Sequence, residues 1–402
     1  MPLRTAAAIL VCLVIGLAQA PHTPASESLS GQDGVNISRL KRTIAESYTL
    51  AESWFLGSLQ PDNTFVYMYD PVRRQYAQTN NAIRQLMAAR LLGELATHDP
   101  SLLSAHKNNL SHIFTHWYKE EGGIAHIHFN DKASLGASGI ALRVLAASPY
   151  VAQGDGEKRY HRKAMRLVRG IQELMAPDGS FKAFFVEPPE EDMMDEEYLL
   201  SYYSGEAILG LVEHYQRFKD SLALELAIKA QDYYLDHYVT HMAENYRPFY
   251  VPWHTMSLSA LYAITLDPRY PQAIFALNDE LLKIQDREKY PGRFAATEGS
   301  RYTKAHSASD GVYTESLAYA LDMARKMGDK EREARYLKAI DLAVANLVSL
   351  QYTNQHSTLF VGDPRVTGAV RIRSKTFTIR IDCVQHTLDA YRKLLEILQQ
   401  TI

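Results

Sequence analysis

The chain has 402 residues, of which 46% are hydrophobic and 22% charged, so wholesale disorder and a collagen-like fibre are excluded. Lys and Arg total 43 against 46 Asp and Glu, a net charge of −3, and no run of five basic residues occurs. Binding along a nucleic-acid backbone needs clustered cations to displace counterions, so no nucleic-acid partner is expected. Tyrosine is abundant at 25 residues against 3 Trp, which suits a sugar-stacking cleft and a helix seam equally.

The first segment reads as a secretory signal peptide over residues 1–20. Arg4 precedes an apolar run from Ala6 to Ala18, and Ala18-Gln19-Ala20 forms a small-residue cleavage pattern. Pro21 directly after the cut disfavours processing there, which leaves cleavage near Ala25 or retention as an uncleaved anchor as alternatives. The run is short for a membrane span, and no second apolar stretch of that kind follows. A flexible Ser-, Pro- and Gly-rich leader is expected over 21–35, and a single domain over 36–402. Cys12 lies in the apolar run, so Cys383 stands alone in the exported chain and no disulfide can form within it. The expected location is periplasmic or secreted.

Periodicity near 3.6 residues gives twelve helical segments, at about 37–58, 80–97, 101–118, 134–147, 157–175, 202–217, 220–238, 253–265, 270–286, 312–328, 330–350 and 381–400. Every second segment is small-residue-rich and apolar on most sides, as in 136–147, 204–215 and 316–324, whereas its neighbours carry more charge. A helix apolar all round is buried on both sides, and a one-sided helix faces solvent. Alternation of the two kinds predicts an all-α fold, an (α/α)6 toroid of six helical hairpins. Short hydrophobic extended stretches are expected in its connections. Pro-Asp-Asn at 61–63 and Pro-Asp-Gly at 177–179 supply turns, each followed by a Phe that caps the packed layer. A two-domain chain with a helical solenoid is the competing architecture.

In a toroid the inner helices' N-termini converge at one mouth, where free N–H groups and helix dipoles favour anionic ligands. Their first turns read Asn80-Asn81 with Arg84, Ser134 with Ser138, Tyr203 to Glu206, Trp253 to Thr255, Tyr313 to Glu315, and Asp382 with His386. Helix capping accounts for Asn80, Ser134, Ser204 and Thr314, but not for Trp253-His254, Arg84 or His386. Glu206, His254, Glu315, Asp382 and His386 are therefore the candidate catalytic groups. Arg84, Tyr203, Trp253, Tyr313 and Arg380 are the candidate substrate-binding groups. Two carboxylates across the mouth, drawn from Glu206, Glu315, Asp382, Glu298 and Asp310, suit glycoside hydrolysis. Proton abstraction beside a uronic-acid carboxylate would instead use a His or Tyr base with Arg, for which His254, His386, Tyr203 and Arg84 serve.

Residues 185–200 hold seven carboxylates and read as a solvated lid, without the ligand spacing of a calcium loop. Residues 287–311 hold five basic side chains and His306, and Arg365, Arg371 and Arg373 follow in 352–379; these basic loops suit an anionic glycan or a solvated surface. His126 and His128 share one face of an extended stretch, but no HExxH, CxxC, phosphate loop or nucleophile elbow is present, so no metal or other cofactor is expected.

The six-hairpin pattern resembles the toroids of carbohydrate-active enzymes: glycosidases, polysaccharide lyases and sugar epimerases. Tyr203-Ser204-Gly205-Glu206-Ala207 with Tyr215, and Arg380-Ile381-Asp382 with His386, resemble segments of the C-terminal domain of glucuronyl C5-epimerases. Cys383 stands where that family has a tyrosine. The resemblance implies acid/base chemistry on a uronic-acid polysaccharide by an epimerase, lyase or hydrolase. The expected partner is an envelope or extracellular polysaccharide or oligosaccharide, with an envelope protein as a further partner. The alternative is a non-catalytic glycan-binding or protein-interaction toroid.

Overall fold

A computed structural model describes residues 34–152, 154–189, 194–294, 306–353, 360 and 362–399. The expected signal peptide, the leader up to residue 33, Glu298 and residues 190–193 of the acidic loop lie outside them.

The helices start where polar side chains can take the first free N–H groups. Asn36 caps α1 (Ile37–Gly57), and Asn81 caps α2 (Ala82–His98). α3 (Leu103–His116) precedes α4 (Leu135–Ala147), which Ser134 caps, and α5 (Gly154–Glu173) follows. Asp195 caps α6 (Glu196–Phe218) and Asp220 caps α7 (Ser221–Leu235). The short α8 (Met242–Asn245) leads to α9 (Val251–Thr265) and α10 (Arg269–Lys283). The His306 imidazole caps α11 (Ser307–Met327), Asp329 caps α12 (Lys330–Leu350), and α13 (Ile381–Gln399) completes the set.

Six of these helices form a closed inner ring, each packed on the next in the order α2, α4, α6, α9, α11, α13 and back to α2. α1, α3, α5, α7, α10 and α12 lie outside it, each packed on an inner helix. The inner helices bury most of their residues and the outer ones a single face, as the alternation in the sequence requires. This is the (α/α)6 toroid. Glycines set the closest inner contacts: a Cβ on Gly139 of α4 would lie 2.6 Å from Ala207 Cα of α6, and one on Gly205 2.5 Å from Trp253 Cβ of α9.

The two ends of the barrel differ. Inner helices hand over to outer ones through tight links (99–102, 148–153, 219–220, 266–268, 328–329). Outer helices return to inner N-termini through long ones (58–81, 117–134, 174–195, 236–250, 284–306, 351–380). Three of these open with the same device, an isolated bridge pairing Leu59 with Phe65, Met175 with Phe181 and Gln285 with Phe294. Each Phe is buried and so anchors its loop on the helix layer. All short strands lie in the long links. β1 (Met68–Asp70) joins β2 (Gln75–Tyr76) and β7 (Ile379–Arg380); β3 (Tyr118–Glu121) pairs β4 (Ile124–Ile127), and β5 (Ala133–Ser134) pairs β6 (Phe184–Val186). The Met68–Arg380 and Tyr69–Ile379 register ties the approach to α2 to the approach to α13.

Two helix starts differ most from expectation. α6 begins at Glu196 and α11 at Ser307, six and five residues before the periodic pattern places them at 202 and 312. The end of the acidic stretch expected as loop is thus the first turn of α6, where Glu196 and Glu197 face the positive helix end. Tyr203, Glu206, Tyr313 and Glu315 consequently sit beyond the first turn of their own helices.

Candidate active site

The long-link end of the barrel gathers most of the charged side chains singled out in the sequence. Arg84, in the first turn of α2, donates from Nε to Asp382 Oδ2 at 2.6 Å and from Nη1 to Tyr67 Oη at 2.9 Å. Arg380, the last residue of β7, donates from Nε to Asp382 Oδ1 at 2.6 Å. Asp382 is buried in the first turn of α13, and the two guanidinium groups hold its carboxyl well below the usual carboxylate range against the cost of burial. It is ionised at every ordinary pH.

Glu206 has the opposite environment. It is 3% exposed, its Oε2 has no hydrogen-bond partner, and burial pushes its carboxyl up to about 8, with Arg143 and Arg84 opposing that shift. It is therefore neutral at pH 7 and can give up a proton. Gly136 makes room for it: a Cβ there would collide with Glu206 Oε2 and with the ring of Tyr203. Tyr203 bonds to Ser134 and, half-buried, lines a small recess with Asn81, Phe129 and Lys132.

Below this pair lies a second tier. His386 follows Asp382 by one turn, with its ring edge-on to Trp253 at 6.1 Å and its Nδ1 buried without a partner. Burial lowers it to about 4, so it is neutral. Glu315 is pushed up by burial and by the nearby Asp389, which Arg90 binds directly. Glu315, His386 and Asp389 bring ligand atoms within 4.8 Å of one another, a donor set that fits a cation. The Arg90 guanidinium already supplies the positive charge there, and any metal ion would have to share Asp389 with it. Arg143, paired with Glu213 at 2.9 Å, extends the charged column down the barrel.

Arg84, Arg380, Asp382, Glu206 and Tyr203 thus meet at the mouth, with His386 and Glu315 beneath. His254 does not join them. Its Nε2 contacts Ser204 Oγ and its Nδ1 contacts the Gln231 amide nitrogen Nε2, both at 3.2 Å, and Tyr234, Tyr238 and Tyr250 pack around the ring. The imidazole therefore faces the seam with α7, and burial lowers it to about 3. Trp253 and Tyr313 are each 4% exposed, which leaves little ring face for a sugar to stack on. Tyr313 packs edge-on against Phe294, beside buried Asp310. Sequence reasoning missed Arg90, Arg143 and Asp389. A charge within an otherwise apolar inner helix, and Asp389 seven residues after Asp382, are the signals that mark them.

Solved structures share this architecture. An unsaturated glucuronyl hydrolase specific for heparin is 12% identical with a TM-score of 0.60, covering 89% of this chain and 98% of that one. A D-mannose isomerase is 10% identical with a TM-score of 0.63, covering 94% of this chain and 100% of that one. A sugar epimerase from a ruminal bacterium is 10% identical with a TM-score of 0.63, covering 92% and 100%. At these identities the likeness is one of fold. No curated protein sequence matches the chain. Residues 74–297, which span α2 to α10, match the family described as beta-L-arabinofuranosidase, GH127 catalytic domain. With more than half its length matched, the chain belongs to this GH127 catalytic-domain family and is a carbohydrate-active enzyme.

Proposed function

We propose that the enzyme hydrolyses a glycosidic bond in an oligosaccharide, with Glu206 as proton donor and Asp382 as its anionic partner. The observation that carries this is the opposite displacement of two carboxyls sharing Arg84, one kept neutral and the other kept ionised. Such a split is what acid/base cleavage needs. Glu206 would protonate the leaving glycosidic oxygen, while the ionised Asp382 stabilises the positive charge developing at the anomeric carbon and the water that adds there releases its proton to solvent. An acidic sugar near the scissile bond is favoured by three guanidinium groups at this rim, Arg84, Arg373 and Arg380, which act on His306 after the larger effect of Asp382.

The test is a reducing-end assay on β-L-arabinofuranosides, the sugar for which the family is named, and on uronic-acid and neutral oligosaccharides. Glu206→Gln is expected to lower turnover by roughly 10²–10⁴ with an unchanged helical circular-dichroism spectrum. Full activity in that variant overturns the assignment. A second reading, epimerisation or elimination at the carbon beside a uronate, is supported by the neutral, unpartnered Nδ1 of His386 next to Asp382. Uptake of solvent deuterium into recovered sugar would favour it over hydrolysis.

Export follows from the N-terminal pattern of Arg4, the apolar run and Ala18-Gln19-Ala20. Among the described residues no helix is long and apolar enough to cross a membrane. N-terminal sequencing of protein recovered outside the cytoplasm tests this; an intact Met1 on cytoplasmic protein would contradict it.

A further inference from the structure

A cavity of about 330 Å³ opens beside the mouth, lined by Lys289, Tyr290, Arg293, His306, Asp310 and Arg373 among others. That volume is at the small end of the ~300–1,000 Å³ typical of small-molecule sites, suited to a single ring. Asp310 is the one acid among the described lining residues, against three permanent cations. Its carboxyl is already engaged, Oδ1 accepting from the Phe294 N–H at 3.0 Å and Oδ2 from Asn346 Nδ2 at 2.9 Å, and burial pushes it up to about 6.

The cations are placed for a ligand. Arg373 Nε is buried without a hydrogen-bond partner, a donor whose desolvation nothing in the described structure offsets. Tyr290 is 40% exposed, with Lys289 Nζ over its ring at 5.7 Å and Arg293 Cζ at 5.4 Å from the centre, so an exposed aromatic side chain sits among positive charges. The positive end of α11 adds to the field, since its cap, His306, is itself a wall of the cavity. His306 also lies within electrostatic reach of Asp382, Arg84 and Arg380, so this wall of the cavity is near the clamp at the mouth.

We infer that this cavity is a subsite for an acidic sugar, whose carboxylate or sulfate sits on Arg373 and Lys289 while its ring stacks on Tyr290. The inference rests on the hydrolase reading for its place in the substrate: one position along from the ring cleaved at Glu206. It assigns a second recognition point to a residue the enzyme does not cut.

Isothermal titration of the intact protein with uronate, sulfated and neutral oligosaccharides of equal length tests it. The acidic ligands are expected to bind more tightly than the neutral one. Arg373→Gln and the surface variant Lys289→Ala should each lower the acidic-to-neutral affinity ratio about tenfold. A preference for uronate over sulfate, or the reverse, names the acid group. Equal binding of acidic and neutral ligands, or an unchanged ratio in both variants, overturns the subsite. Hydrolysis is scored separately on the same ligands. Cleavage with an unchanged ratio removes the subsite alone. A lowered ratio without cleavage of any ligand removes the hydrolase reading and leaves the acidic-sugar pocket standing.

Discussion

Glu206 and Asp382 are both buried carboxyls, and their neighbours decide their charge. Glu206 has a raised pKa, so its stabilising neutral form is complete below the ordinary carboxyl range and is lost as pH rises through about 8. Melting temperatures from pH 6 to 9 should therefore fall more for the wild type than for Glu206→Gln, and hydrolysis should decline over the same alkaline limb. Asp382 has a lowered pKa, so its contribution holds at neutral pH and is lost only on strong acidification. Asp382→Asn would leave Arg84 and Arg380 without their charge partner at the mouth, and a loss of about 3–5 kcal/mol in denaturant unfolding is expected. A loss within error would show that water replaces the carboxylate. Arg84, Arg380, Asp382 and Glu206 are legible in the sequence because each stands near the start of an apolar periodic segment. His254 shares that signal, yet its ring faces the seam with α7, because position along a helix does not give the angle around it. The basic loops at 287–311 and 352–379 are legible as charge, but that they meet in one cavity at Arg373 is not, since they lie far apart in the chain.

At the scale of elements, small residues do the placing. Gly210 of α6 lies so close to Gly139 of α4 that an added Cβ would collide with the Gly139 carbonyl oxygen. Backbone cannot retreat as a side-chain tip can, so Gly210→Ala should cost about 1–3 kcal/mol in chemical denaturation. Gly136→Ala differs, because its Cβ would strike the movable ends of Glu206 and Tyr203. The expected result is a lowered kcat with a smaller loss of stability; the reverse order of effects would contradict this role for Gly136. The helices themselves are legible from periodicity, and the Pro-Asp turns mark their loops. The starts of α6 and α11 are not, because Glu196-Glu197 and the polar 307–311 stand outside the apolar stripe and are held by caps and tertiary contacts instead.

At the scale of the molecule, the family match covers four of the six inner helices, while α11 and α13 close the ring beyond it. α13 packs against both α1 and α11 and carries Asp382. A chain cut after residue 380 is therefore expected to lose cooperative thermal unfolding as well as activity; a sharp transition in that fragment would show that five inner helices suffice. The alternation of apolar and one-sided helices makes the closed ring legible, but the sheet that joins residues 68–70 to 379–380 spans too much chain for any local pattern to show. That sheet links assembly to chemistry. Arg84 and Asp382 lie on the two helices that seal the ring, and Arg380 comes from the strand laid beside β1. A chain emerging from the ribosome cannot clamp the anionic carboxylate until α13 has docked against the chain's earliest helices. Partly made or misfolded copies should thus be silent rather than weakly active, so specific activity in a preparation counts the molecules whose circle is complete.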